Sequence, residues 1–199
     1  MKGKLLILVS ALVVLCSIAT GTVAYYTKNA TAANVVTTGN IKLELIETTK
    51  DNEAFPEEGV VVIPGATVSK IVTVKNTSKN PAFVRIQLSK LVSDEKLQED
   101  FMENDILTTD FNSKDWTVGK DGFIYYNKIL MPGKETAPVI KEVYINGLKT
   151  DNKYRGVNFT LQIDAYGVQS KNNGTKYSEA AGWPKASAAA TSAVFVPQV

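Results

Sequence analysis

Residues 68–88 read VSKIVTVKNTSKNPAFVRIQL, and this stretch decides the fold class. Val68 to Lys75 is rich in β-branched residues, Asn76 to Pro81 (NTSKNP) is polar, and Val84, Ile86 and Leu88 recur at every second position. Period two marks a strand, because successive side chains leave a pleated backbone on opposite faces. Two such runs around a short polar turn predict neighbouring strands joined as a hairpin.

The same signature extends in both directions. Upstream, Ile41-Lys42-Leu43-Glu44-Leu45 alternates apolar and charged residues, which predicts a strand with one face on a core and one in water. Val60 to Ile63 is continuously apolar and β-branched, and is expected as a fully buried strand. Downstream candidates are Gly122 to Ile129, Val139 to Ile145 and Val157 to Val168. Pro64-Gly65 and Pro132-Gly133 have the chemistry of type II turns: proline presets φ at the second position and glycine supplies φ > 0 at the third. Only Asp94 to Asn104 (DEKLQEDFMEN) looks helical, with Leu97 and Phe101 four apart and acids in the first turn. The expected fold is all-β, an antiparallel β-sandwich with one short inserted helix.

The N-terminus reads as an export signal. Lys2 and Lys4 precede an uncharged run from Leu5 to Ala19, and Thr22-Val23-Ala24 then offers the small side chains a signal peptidase requires. Cleavage is expected between Ala24 and Tyr25. The alternatives are a retained membrane anchor over Leu5 to Tyr26 and a lipoprotein linkage at Cys16, the latter disfavoured by the bulky Leu15 before it. The organisation is therefore 1–24 signal peptide, 25–40 N-terminal arm, 41–184 sandwich domain and 185–199 Ala/Ser-rich tail.

Composition narrows the function. Among 199 residues there is no histidine, and the one cysteine, Cys16, lies in the signal. That excludes Ser-His-Asp and Cys-His nucleophile systems, an HExxH zinc site and an imidazole base. The signal carries two of the 22 basic residues and none of the 20 acidic ones, so the remainder balances at 20 of each sign. A neutral surface argues against nucleic acid as a partner and lowers the barrier to self-association. Neither a cofactor nor a metal is expected. The acids between Asp94 and Asp105 lack the glycine-centred spacing of a calcium loop and read as a solvated helix face, and Asp110 to Asp115 (DFNSKD) reads as a surface loop. Trp116, Phe123, Tyr125 and Tyr126 suit either an aromatic binding platform or packing between sheets.

Several stretches, in order, resemble one known family. They are Gly21 to Thr27 (GTVAYYT), Asn34 to Leu45 (NVVTTGNIKLEL), Ile63-Pro64-Gly65 through Asn76, and Asn80 to Arg85 (NPAFVR). Asp121 to Lys128 (DGFIYYNK) then leads to Leu130-Met131-Pro132-Gly133, and Leu161 to Gln169, Glu179-Ala180 and Trp183 close the series. Together they resemble the TasA/camelysin family, SipW-dependent exported proteins of Gram-positive bacteria that build biofilm matrix fibres. The resemblance implies a jelly-roll or Ig-like sandwich, secreted to the extracellular matrix or cell surface. It also implies a homopolymer made by donor-strand exchange, with a SipW-type signal peptidase and accessory matrix proteins as partners. The arm residues Tyr25, Tyr26, Val35 and Val36 would carry polymerisation, and no residue would be catalytic. A camelysin-like surface protease and a surface adhesin or binding module are the alternatives. The tail from Ala186 to Val199 (ASAAATSAVFVPQV) matches nothing in the family and reads either as a linker ending in a strand-like Val194-Phe195-Val196 hook or as disorder.

Overall fold

The computed structural model describes residues 27–30, 33–185 and 194–195. The signal segment, its Ala24/Tyr25 junction, Tyr26 and Cys16 lie outside the described residues. Twelve strands follow in chain order among those described: β1 (Thr27–Ala30), β2 (Ala33–Thr37), β3 (Leu43–Thr48), β4 (Val60–Val62), β5 (Thr67–Asn76) and β6 (Ala82–Val92), then β7 (Leu107–Thr109), β8 (Trp116–Val118), β9 (Ile124–Tyr126), β10 (Ile140–Ile145), β11 (Phe159–Gln169) and β12 (Val194–Phe195). They form two sheets. The larger runs β4-β1-β11-β6-β9-β8, with β2 also on β11 and β12 also on β6; the smaller runs β3-β5-β10-β7. The all-β sandwich is as expected.

Its centre is the antiparallel pair β6–β11, in register over eleven residue pairs from Ala82↔Gln169 to Val92↔Phe159. Val84, Ile86 and Leu88 on β6, with Leu161, Ile163 and Ala165 on β11, turn one face toward the smaller sheet. That sheet answers with Leu43, Val72, Val74, Val143 and Ile145. Close approach is set at Gly167, where an added Cβ would lie 2.7 Å from Leu43 Cδ1.

The NTSKNP segment does not make a hairpin. β5 already pairs with β3 on one edge and β10 on the other, so it has no edge left for β6, and the chain crosses to the other sheet. The crossing is tied by the buried Asn76 amide, which donates to the Asn80 and Leu130 carbonyl oxygens (2.8 and 2.9 Å) and accepts from the Ser78 backbone N–H (3.0 Å).

Three further expectations are corrected. β4 is not fully buried: Val62 is, but Val61 and Ile63 are each 54% exposed, because among the described strands β4 pairs only with the arm strand β1 and borders the sheet. The strand expected over Gly122 to Ile129 shrinks to Ile124–Tyr126. The helical stretch divides into a 3-10 turn (Glu95–Leu97) and a six-residue helix α1 (Gln98–Glu103) that buries Phe101 against Phe159, ring centres 5.0 Å apart. The two Pro-Gly turns form as expected, with Gly65 at φ +84° and Gly133 at φ +71° and the Ala66 and Lys134 N–H groups donating back to Ile63 and Met131.

Candidate functional site: the N-terminal arm and its groove

Every other ladder in the molecule's described residues is antiparallel, but both arm strands run parallel to β11. β1 sets Asn29 and Ala30 opposite Phe159 and Thr160, and β2 sets Ala33 to Thr37 opposite Ile163 to Gly167. The arm thus lies along the β11 edge that β6 leaves open. Its outer edge is covered only at β1, by the antiparallel β4; β2 pairs with β11 alone among the described strands. Of the arm residues singled out from the sequence, Val35 and Val36 are on β2, opposite Ala165 and Tyr166, and are 41% and 37% exposed. The structure therefore keeps this arm on its own subunit's sheet.

The arm leaves through a turn at Thr38, Gly39 and Asn40, where Gly39 takes φ +67° with nothing within 4 Å of the place a Cβ would occupy. Ile41, 2% exposed, then enters the core and β3 joins the other sheet. Two hydrogen bonds close the exit: Thr38 N–H donates to the Gly167 carbonyl (3.2 Å), and Thr38 Oγ1 to that of Gly182 (2.9 Å).

Gly182 belongs to a segment strapped across the outer face of the larger sheet by Arg85. Alternation along β6 puts Arg85 on the face opposite Ile86, yet it is only 7% exposed. Its guanidinium sits 3.6 Å from the centre of the Phe123 ring and 4.8 Å from that of Trp183, and donates to Tyr125 Oη (3.1 Å) and the Pro184 carbonyl (2.8 Å). Tyr125 in turn donates to Asp121 (2.6 Å) and stacks on Tyr177 at 4.6 Å. Burial, seconded by the bond to Asp121, holds the Tyr125 phenol above the usual tyrosine range. The stretches NPAFVR, DGFIYYNK and the residues around Trp183, read separately along the chain, meet at this guanidinium.

The aromatic residues consequently form no open platform. Phe123 and Tyr125 are buried around Arg85, while Trp116 and Tyr126 face the core with ring centres 5.0 Å apart. Several acids of these stretches are engaged by the protein itself, while Glu95, Glu99 and Glu103 are exposed. The Asp110 carboxylate accepts from the Lys141 and Glu142 N–H groups (2.8 and 2.7 Å), fastening the bulge where β10 slips register against β5. Asp115 meets Lys128 at 2.8 Å, Asp100 meets Lys153 at 2.9 Å, and Asp105 meets the buried Lys90 at 3.3 Å. Among the described residues no three acidic side chains converge as a metal site would require.

The burial of Arg85, the bonds of Asp110 to the β10 bulge (Asp110 was expected only as the start of a surface loop) and the ion pair of Lys70 with Glu47 (2.6 Å) escaped the reading of the sequence. The one local signal for Arg85 was a charged residue within an apolar run (AFVRI), which is compatible with either face of the strand. Compared with known protein families, with curated proteins and with solved structures, the chain finds no match.

Proposed function

We propose that the protein is an exported structural subunit that assembles into extracellular fibres of a bacterial biofilm matrix. Subunits join by strand exchange, the arm of each passing from its own β11 edge to that of the next. The observation that carries this reading is the way β2 is held: among the described strands on one edge only, parallel, with Val35 and Val36 exposed, behind a glycine turn at Gly39.

Exchange replaces each pairing with an identical one, so its thermodynamic cost is small. The balance within one arm is also fine. Backbone hydrogen bonds contribute a net of about 0.5–1.5 kcal/mol each, whereas ordering a residue costs about 1–2 kcal/mol. An arm fastened mainly by its backbone therefore detaches readily, and detachment uncovers the β11 edge from Phe159 to Gly167 as a template for an incoming strand. Removal of the signal after Ala24 would free the arm to thread, coupling export to polymerisation.

Electron microscopy of the purified mature protein, beside a variant lacking Tyr25 to Thr31, tests this. Fibres from the former and folded monomers from the latter are expected. Fibres from both would remove the arm from the mechanism.

A further inference from the structure

β6 has a second edge, and its occupants leave a gap. Residues of an antiparallel strand present both backbone groups to alternate sides. Ala82 exchanges both of its backbone bonds with Leu130 on this edge, and Lys90 and Val92 also use it, so Leu88 is in phase with them and faces the same way. Ile86 is taken by Ile124 of β9. At the far end the Gln98 carboxamide stands in for a strand: its Nε2 donates to the Lys90 carbonyl (2.7 Å) and its Oε1 accepts from the Val92 N–H (3.1 Å). Between β9 and this clamp Leu88 remains, and there β12 pairs, Val194 opposite Ser89 and Phe195 opposite Leu88.

The stretch of sequence that leads to β12 is longer than the gap it must cross. Arg85 anchors the Pro184 carbonyl beside β6, three residues from Leu88, or about 10 Å along a strand. Val194 lies ten residue steps beyond Pro184, enough to span about 33 Å when extended. The intervening ASAAATSA carries no charge and no large side chain, and Pro197 lacks the N–H to lengthen the ladder. A two-residue strand joined through more residues than its span requires can act as a ligand at high effective concentration.

We propose that the β6 edge between β9 and Gln98 is a strand-docking site whose ligand is the chain's own C-terminal segment, bound in cis and displaceable by the same segment supplied in trans. The site lies across β6 from the arm's groove, so its test and that of strand exchange fail independently.

The experiment uses the mature chain and a synthetic peptide of residues 191–199, TSAVFVPQV, followed by amide NMR. In a full-length Val194→Pro/Phe195→Pro variant, whose own hook has lost its N–H donors, the peptide should shift the Leu88, Ser89 and Lys90 signals saturably. In the unaltered chain the same peptide concentration should shift them at least about threefold less, because the tethered hook competes. Equal shifts in both chains, no shift in the variant, or a variant that no longer folds would overturn the proposal. Hydrogen exchange on the unaltered chain gives a second measure: the Leu88 amide should exchange faster than that of Ile86 and slow when peptide is added. Equal protection of the two, unaffected by peptide, would also overturn it.

Discussion

The Arg85 guanidinium lies 3.6 Å from the centre of the Phe123 ring and, from that position, reaches both Tyr125 and the Pro184 carbonyl. One side chain thereby joins the sheet's longest ladder to the segment carrying Tyr177 and Trp183, and that segment in turn receives Thr38 at the exit of the arm. The strap thus links the central strand to the exit of the arm at Thr38, while β1 and β2 remain held by their ladders alone.

Arg85→Lys should therefore destabilise the protein although it keeps the charge. An ammonium cannot bond Tyr125 and Pro184 together while lying flat on Phe123, and the loss of such buried, charged hydrogen bonds costs about 1.5–3 kcal/mol. Urea denaturation should show the lower midpoint, and trypsin should cut faster after the exposed Lys176 and Lys185. An unchanged midpoint would mean that the rings alone hold the strap.

Val35→Asp combined with Val36→Asp should separate folding from assembly. Both side chains are more than a third exposed, so the monomer should lose about 1 kcal/mol or less. If the arm is exchanged, two added charges per joint must suppress fibres, as read by electron microscopy beside circular dichroism. Fibres of normal length would reject exchange through β2.

Lys70 predicts a pH signature. It is 2% exposed, against Glu47 at 2.6 Å and the Phe55 ring at 3.9 Å, and burial lowers its pKa despite the raising effect of Glu47. Between its folded-state pKa and about 10.5 the unfolded chain binds more protons, so in that window stability rises with pH; as pH falls through the folded-state value this gain is lost. The stability difference between wild type and Lys70→Met should therefore grow in favour of wild type as pH rises toward 10.5, in denaturation series run in parallel. At pH 7, Lys70→Met alone should cost about 3 kcal/mol by stranding the Glu47 carboxylate, and adding Glu47→Gln should recover much of it. A difference that does not change with pH would place the same protonation state in both folded and unfolded chains.

Gly147→Ala tests a contact between backbones. A Cβ there would fall 2.8 Å from Gly65 N and 3.2 Å from the Pro64 carbonyl carbon, in the turn whose Gly65 N–H donates to Ile145. Neither neighbour can rotate away, so overpacking should cost about 1–3 kcal/mol in thermal or urea unfolding. A neutral result would show that the Pro64–Gly65 turn shifts freely.

The sequence by itself determined the strands that repeat apolar residues at period two, the Pro-Gly turns and the one helical interruption, because these depend on neighbours within a few residues. Val84, Ile86 and Leu88 announce a core face, and Phe101 four residues after Leu97 announces a helix face, whatever they pack against. Tertiary structure alone decided partners. NTSKNP has the chemistry of a hairpin turn, but β5 fills both edges with β3 and β10, and only that distant pairing sends the chain across to the other sheet. Arg85 could have faced water on the same pattern; it is buried because residues about 40 and 100 positions later close over it. The arm's parallel seat on β11 follows from which edge the β6–β11 pair leaves open. A local pattern tells which face of a strand is apolar, but the backbone groups that join strands are the same at every residue, so the choice among edges belongs to the folded whole.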